Sequence, residues 1–139
     1  MGAVFLIGRI LVGGYYLMSA VHHFSDLGPM ARMVGRAGVP LPEVAIVLSG
    51  LLLALAGFSL LLGLYPNVGV GALVLLLVPV TLVMHAFWAD HDPQRRQMDL
   101  INFTKNLGLL GSSLMFLAIP RPWAYSLERR ARLPVHLPV

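Results

Sequence analysis

There is no cysteine among these 139 residues, so the chain can form no disulfide, no thiolate metal site and no dithiol redox couple of its own. Charge is scarce as well. Lys, Arg, Asp and Glu make up 12% of the residues, against about 25% in an ordinary soluble domain. No Lys/Arg-rich region precedes the first apolar run and no clear small-residue cleavage site follows it, so that run reads as a retained span and not as a removed signal peptide. Leu6 breaks the N-myristoylation pattern that a Met1-Gly2 start would otherwise open. Polar stripes, which every helix of a soluble bundle needs, are almost missing from most of the apolar segments.

What fills the chain instead is apolar. The hydrophobic fraction is 58% and the mean hydropathy is +0.80. Four long runs, 3–24, 41–64, 68–88 and 100–119, are each close to the length of about 20 residues that a helix needs to cross a hydrocarbon core of about 30 Å. The expected fold is therefore all-α, an integral membrane four-helix bundle with a short interfacial helix or loop between spans 1 and 2. One transmembrane domain, 1–120, is followed by a basic, Pro-containing tail, 121–139. The net charge of +4 is divided between short loops and that tail, which suits lipid headgroups and not nucleic acid.

Breakers mark the links. Gly28-Pro29 and Gly38-Val39-Pro40-Leu41-Pro42 bracket a segment, 30–37, that fits a short amphipathic helix carrying Arg32 and Arg36. Tyr65-Pro66-Asn67 makes a tight turn between antiparallel spans 2 and 3, and 89–97 reads as a solvated loop. Residues 123–133 fit a short surface helix, and Pro79 is expected to kink span 3. Counted over the short loops, Lys and Arg are balanced between the two sides, and only Arg9 tips both termini towards the cytoplasm.

Because spans alternate, four span ends share one leaflet, and nearly every intramembrane polar residue lies there. They are His22 and His23, Glu43, His85 with Trp88, then Asp99, Asn102, Lys105 and Asn106. At 1.5 Å per residue Lys105 lies about 8–10 Å below the interface, with His85 near the same level. Two readings stay open. The groups can snorkel to headgroups and glue helices together, or they can form a ligand or proton site, since an ionisable residue at such depth is costly unless paired. A filled, mutually hydrogen-bonded cluster favours the first, and an open apolar cleft favours the second. Adjacent histidines point about 100° apart, so at most one of His22 and His23 can face His85, and no metal is expected. Arg9 lies near the opposite leaflet, where snorkelling is the simpler expectation and pairing with carbonyls the alternative. Thr104, Gly108 and Ser112 on span 4, and Gly50, Ala54 and Gly57 on span 2, are small-residue stripes that suit close packing within the chain.

Arg9-x-x-x-Gly13, the Gly38–Pro42 segment, Gly57 with Gly63, His85-x-Phe87-Trp88, and Lys105-Asn106-Leu107 with Gly111 together resemble the DoxX family of small bacterial membrane proteins, over 7–117. The resemblance implies a four-helix bundle of the bacterial inner membrane, associated with redox and stress-related membrane complexes. Relatives include a subunit of a quinone-reducing thiosulfate oxidoreductase and a partner of superoxide dismutase and a sulfurtransferase. This chain departs from the family with Leu53 in place of a Glu and His23 in place of a Lys.

The resulting expectation is an accessory or stabilising subunit of a larger membrane complex, not catalytic by itself, with the lipid bilayer and other subunits as its partners. The alternative is a quinone-binding redox-linked subunit. In it His23, His85, Trp88, Asn102, Lys105 and Asn106 are the ligand-binding residues, with Trp88, Phe87 and Phe103 as an apolar wall. Arg9 and Asp99 are structural polar residues. A small transporter is disfavoured by the lack of a clear inverted repeat or of a mid-membrane carboxylate.

Overall fold

Proline and left-handed backbone set where the helices of this chain begin and end. The structure, a computed structural model, describes residues 1–128. Its order is α1 (Gly2–Ser25), α2 (Leu27–Arg36), α3 (Pro42–Leu62), α4 (Pro66–Met84) and α5 (Pro93–Met115), then a 3-10 turn over Phe116–Ala118. Leu41 and Tyr65 take left-handed φ values of 48° and 49°, and each is followed by a proline at the first helical position. That φ is fixed for the helix, and the N–H a proline lacks would have had no partner there. Gly63 ends α3 at φ 64°, and the Leu64 N–H closes the cap on the Ser59 carbonyl at 3.0 Å.

The described residues form a helical membrane bundle. α1, α3 and α4 are long and apolar enough to cross a bilayer. Their outer faces carry Leu11, Leu55, Phe58, Leu75 and Leu82, all exposed in the absence of lipid. α2 is the expected amphipathic helix, with Ala31 buried and Arg32 and Arg36 exposed. α4 continues through Pro79 to Met84.

Two boundaries differ from the sequence reading. α4 stops at Met84, not at 88, because His85 leaves helical geometry at ψ 41°. α5 begins at Pro93, not at 100, because the Asp92 side chain caps it by accepting from the Arg95 N–H at 3.2 Å. Much of the expected loop is thus the first two turns of α5. Those turns hold Arg95, Arg96 and Asp99, and α5 is not among the helices apolar enough to span.

The helices pack in the order α1, α3, α4, α5, with α2 laid on α3. α1 meets α3 through glycine: a Cβ on Gly13 would stand 3.0 Å from the Gly57 carbonyl oxygen, and one on Gly57 would stand 2.7 Å from Leu17 Cγ. Close backbone approach of this kind replaces the hydrophobic drive that lipid removes. The stripe on span 4 is more open: Gly108 has nothing within 4 Å, Thr104 is exposed and Ser112 is partly buried, and the neighbouring Gly111 is likewise open.

Arg9 seals one end of the bundle, where snorkelling was the simpler expectation. It is fully buried. Its Nε donates to the Leu60 carbonyl at 3.0 Å, Nη2 to that of Leu61 at 2.8 Å and Nη1 to that of Ala124 at 2.8 Å. Leu60 and Leu61 lie in the last turn of α3, whose carbonyls lack helical partners and carry the negative end of the helix dipole. Phe5 and Trp123 face the guanidinium, 5.8 and 5.4 Å from ring centroid to Cζ. Trp123 is buried, so the start of the expected tail belongs to the core, and the expected surface helix over 123–133 lies partly outside the described residues. Only glycine fits at position 63, where a Cβ would meet Arg9 Nη2 and Ser126 Cβ at 2.6 Å.

Arg9→Met should therefore lower stability by about 3 kcal/mol or more, since buried carbonyls that accept from a charged donor lose it. Arg9→Lys should recover less than half of that, because an ammonium lacks the planar fork. Thermal unfolding of the detergent-solubilised protein measures both.

Candidate functional site

At the sealed end Tyr16 on α1 meets Ser113 on α5 at 3.1 Å. Ser113 Oγ gives its only proton to the Leu109 carbonyl at 2.7 Å, so the Tyr16 hydroxyl donates. Above this floor lies a cleft of about 590 Å³ between α1, α2, α3, α4 and α5, within the range of about 300–1,000 Å³ typical of small-molecule sites. Its wall is mainly aliphatic, with Ile46, Leu52, Leu76, Val80 and Leu109 among the lining residues.

The polar groups of the cleft come from the leaflet that the sequence singled out. His23, His85, Asn102, Lys105 and Asn106 all line it, so five of the six expected ligand-binding residues converge. The sixth does not. Trp88 is absent from the lining and 56% exposed, because α4 ends four residues earlier and the turn after it carries the indole outward. Phe87 and Phe103 join it in an edge-to-face cluster, with centroids 5.1 to 5.7 Å apart, and not in the cleft wall. An aromatic group at a span end is the usual interfacial anchor.

Partial pairing orders the polar groups without filling the space. His23 Nδ1 donates to the Ser19 carbonyl at 2.7 Å, which fixes the proton on that nitrogen. Lys105 Nζ donates to Asn102 Oδ1 at 3.0 Å. Ser49 also lines the cleft and turns its hydroxyl back onto the Ile46 carbonyl at 2.8 Å. The donors left to meet a ligand are therefore the Lys105 ammonium and the amide N–H groups of Asn102 and Asn106, while the free Nε2 of His23 accepts. Leu53, at the position where the resemblance places a Glu, lies buried in the same wall.

A second polar unit sits at the mouth. His85 Nδ1 and Asp99 Oδ1 are 3.2 Å apart, with both side chains about one-quarter exposed or less. Asp99 is also hydrogen-bonded to Asp90 in the turn before α5. That bond holds the Asp90 carboxyl above the usual carboxylate range; partial desolvation and the neighbouring Asp99 and Asp92 charges add to the effect, and Arg95 opposes it. Nothing in the sequence marked Asp90, because its partner is nine positions away across a helix start whose place was misjudged.

The comparisons with known proteins agree with this architecture over part of its length. The DoxX family model matches residues 4–86, which takes in α1 to α4 and stops before α5. No curated protein and no solved structure matches the chain.

A raised carboxyl has a signed consequence. The folded state favours neutral Asp90, so its contribution is complete at acid pH and is lost as pH rises through the raised value. Asp90→Asn, which keeps a donor and removes the charge, should gain melting temperature over the unsubstituted protein as pH rises from about 4 to about 7, across and above the carboxylate range. Parallel pH-dependent melts of the two proteins check this.

Proposed function

Because this chain belongs to the DoxX family of small membrane proteins, we propose that it is an accessory subunit of a bacterial inner-membrane redox complex whose cleft holds the head of a quinone-class lipid. The observation that carries this reading is the open apolar cleft with convergent donors at one end. A packing subunit would have filled that space. A quinone head offers two carbonyl oxygens and an isoprenoid tail; when bound it supplies a carrier of electrons and protons. Lys105 and the amides of Asn102 and Asn106 suit the oxygens, and Leu52, Leu76 and Leu109 suit the tail. The residues present fit the group.

The subunit role has its own support. The Thr104, Gly108 and Gly111 face of α5 has no partner within the described residues, and small residues in lipid are where another helix packs. In this reading α5, about 34 Å long at 1.5 Å per residue, is the fourth span, and both termini are cytoplasmic. Cysteines placed at Arg95 and at Tyr125 should then label from opposite sides of a sealed membrane. Labelling from one side would end the four-span reading.

For the cleft, the test is binding of a decyl-tailed benzoquinone to the full-length protein in lipid nanodiscs. Ala45→Phe, which fills the space from α3, should abolish binding. His85→Gln with Lys105→Met should weaken it by about tenfold or more, as expected when charge-assisted hydrogen bonds are lost. Absence of binding to the unsubstituted protein, or retention in the filled variant, would overturn the assignment. Gly108→Leu should leave binding intact and reduce the proteins that co-purify from native membranes, which separates the ligand role from the assembly role.

A further inference from the structure

His85 is the one residue that belongs both to the cleft lining and to the carboxylate pair at its mouth. A carboxylate can only accept, so the 3.2 Å contact places a proton on Nδ1 and leaves Nε2 of the neutral ring as a lone-pair acceptor. We propose that His85 is the proton acceptor of the cleft and Asp99 its positioning residue, and that His85 takes the proton of a hydroxyl-headed amphiphile of the hydroquinone class. This rests on the cleft reading above.

The step balances without any change of oxidation state. The ligand O–H bond breaks and its electron pair stays on oxygen. An N–H bond forms at Nε2 from the imidazole lone pair. The imidazolium is then stabilised by the Asp99 carboxylate, 3.2 Å from Nδ1, and forms an ion pair with the phenolate. Lys105, with Asn102 on the same cleft wall, supplies the positive charge that the phenolate oxygen needs. The other groups around the pair are accounted for. His23 faces from α1 with Nδ1 engaged by Ser19, Asp92 and Arg95 act on Asp90 from the start of α5, and Asp90, ahead of α5, interacts with Asp99.

The test uses the full-length protein in nanodiscs with 15N-labelled histidine, its His85 signals assigned by their loss in His85→Gln. Without ligand, neutral His85 should be the Nδ1–H tautomer, and Asp99→Asn should lose that preference. Decyl hydroquinone should move the Nε2 resonance to its protonated position, whereas decyl benzoquinone, which has no hydroxyl, should not. Asp99→Asn should weaken hydroquinone binding by about tenfold, the effect of one charge-assisted hydrogen bond, while holding benzoquinone affinity within about twofold; the latter also reports that the variant is folded. An Nε2–H tautomer in the unsubstituted protein, or a tautomer unmoved by Asp99→Asn, would overturn the proposal. So would hydroquinone bound with Nε2 unchanged, which leaves the quinone cleft standing. Failure of both probes to bind overturns the cleft reading and this one together.

Discussion

A guanidinium inside a bilayer has five N–H donors and no water to take them. In this chain the donors of Arg9 reach three backbone carbonyls, two at the end of α3 and one in the segment after Pro120. Each side removes the other's penalty. The arrangement ties three distant stretches of chain, α1, the end of α3 and the segment around Ala124, to one point. It also dictates the neighbours. Position 63 must be glycine, both for its left-handed backbone and because a side chain would strike the guanidinium, and Phe5 and Trp123 must be aromatic or at least apolar to keep water out.

That clamp makes the bundle asymmetric. The Tyr16–Ser113 bond and the Phe5–Phe116–Trp123 rings draw α1 and α5 together at the sealed end. Nothing comparable joins α1 to α5 at the other. There the helices are held through α3 and α4 alone, and α2 lies across the outside. The cleft between the helices is lined by His23, His85 and Lys105 at that other end.

The spans were legible because length and hydropathy are direct statements about a bilayer, and α1, α3 and α4 needed no tertiary information. α2 was legible from the Gly-Pro breakers and the spacing of Arg32 and Arg36. The convergence of His23, His85, Asn102, Lys105 and Asn106 followed from alternation of spans, which assigns every span end to a leaflet. What failed was local. An apolar aromatic run after His85 reads as more helix, and only backbone geometry shows that the ring cluster of Phe87, Trp88 and Phe103 is satisfied in a turn. The polar run before Leu100 reads as loop, although the Asp92 cap and Pro93 start a helix there. Arg9 was unreadable in another sense: its partners are carbonyls, which every residue has, so no side-chain pattern marks them.

α5 carries the consequences of both ends. Its inner face presents Asn102, Lys105, Asn106 and Leu109 to the cleft and Ser113 to the clamp side, while its outer face presents Thr104, Gly108 and Gly111 to whatever surrounds the bundle. Leu100, Ile101, Leu107 and Leu114 are exposed on this helix, but its polar first turns and polar inner face lower its mean hydropathy, which is why it falls outside the helices that hydropathy alone admits to the membrane. Part of its stability in a bilayer has to come from packing. α4 supplies that on one side and the clamp supplies it at the C-terminal end. The exposed glycines leave a third side where close approach of another helix is sterically free. The polar residues that make α5 a poor span are the same ones that give the cleft its chemistry, so the helix cannot be made more apolar inward without erasing the site. Compensation is available only on the outer face, and that is the physical reason for the polar cleft lining and the open small-residue face to occur on the same helix.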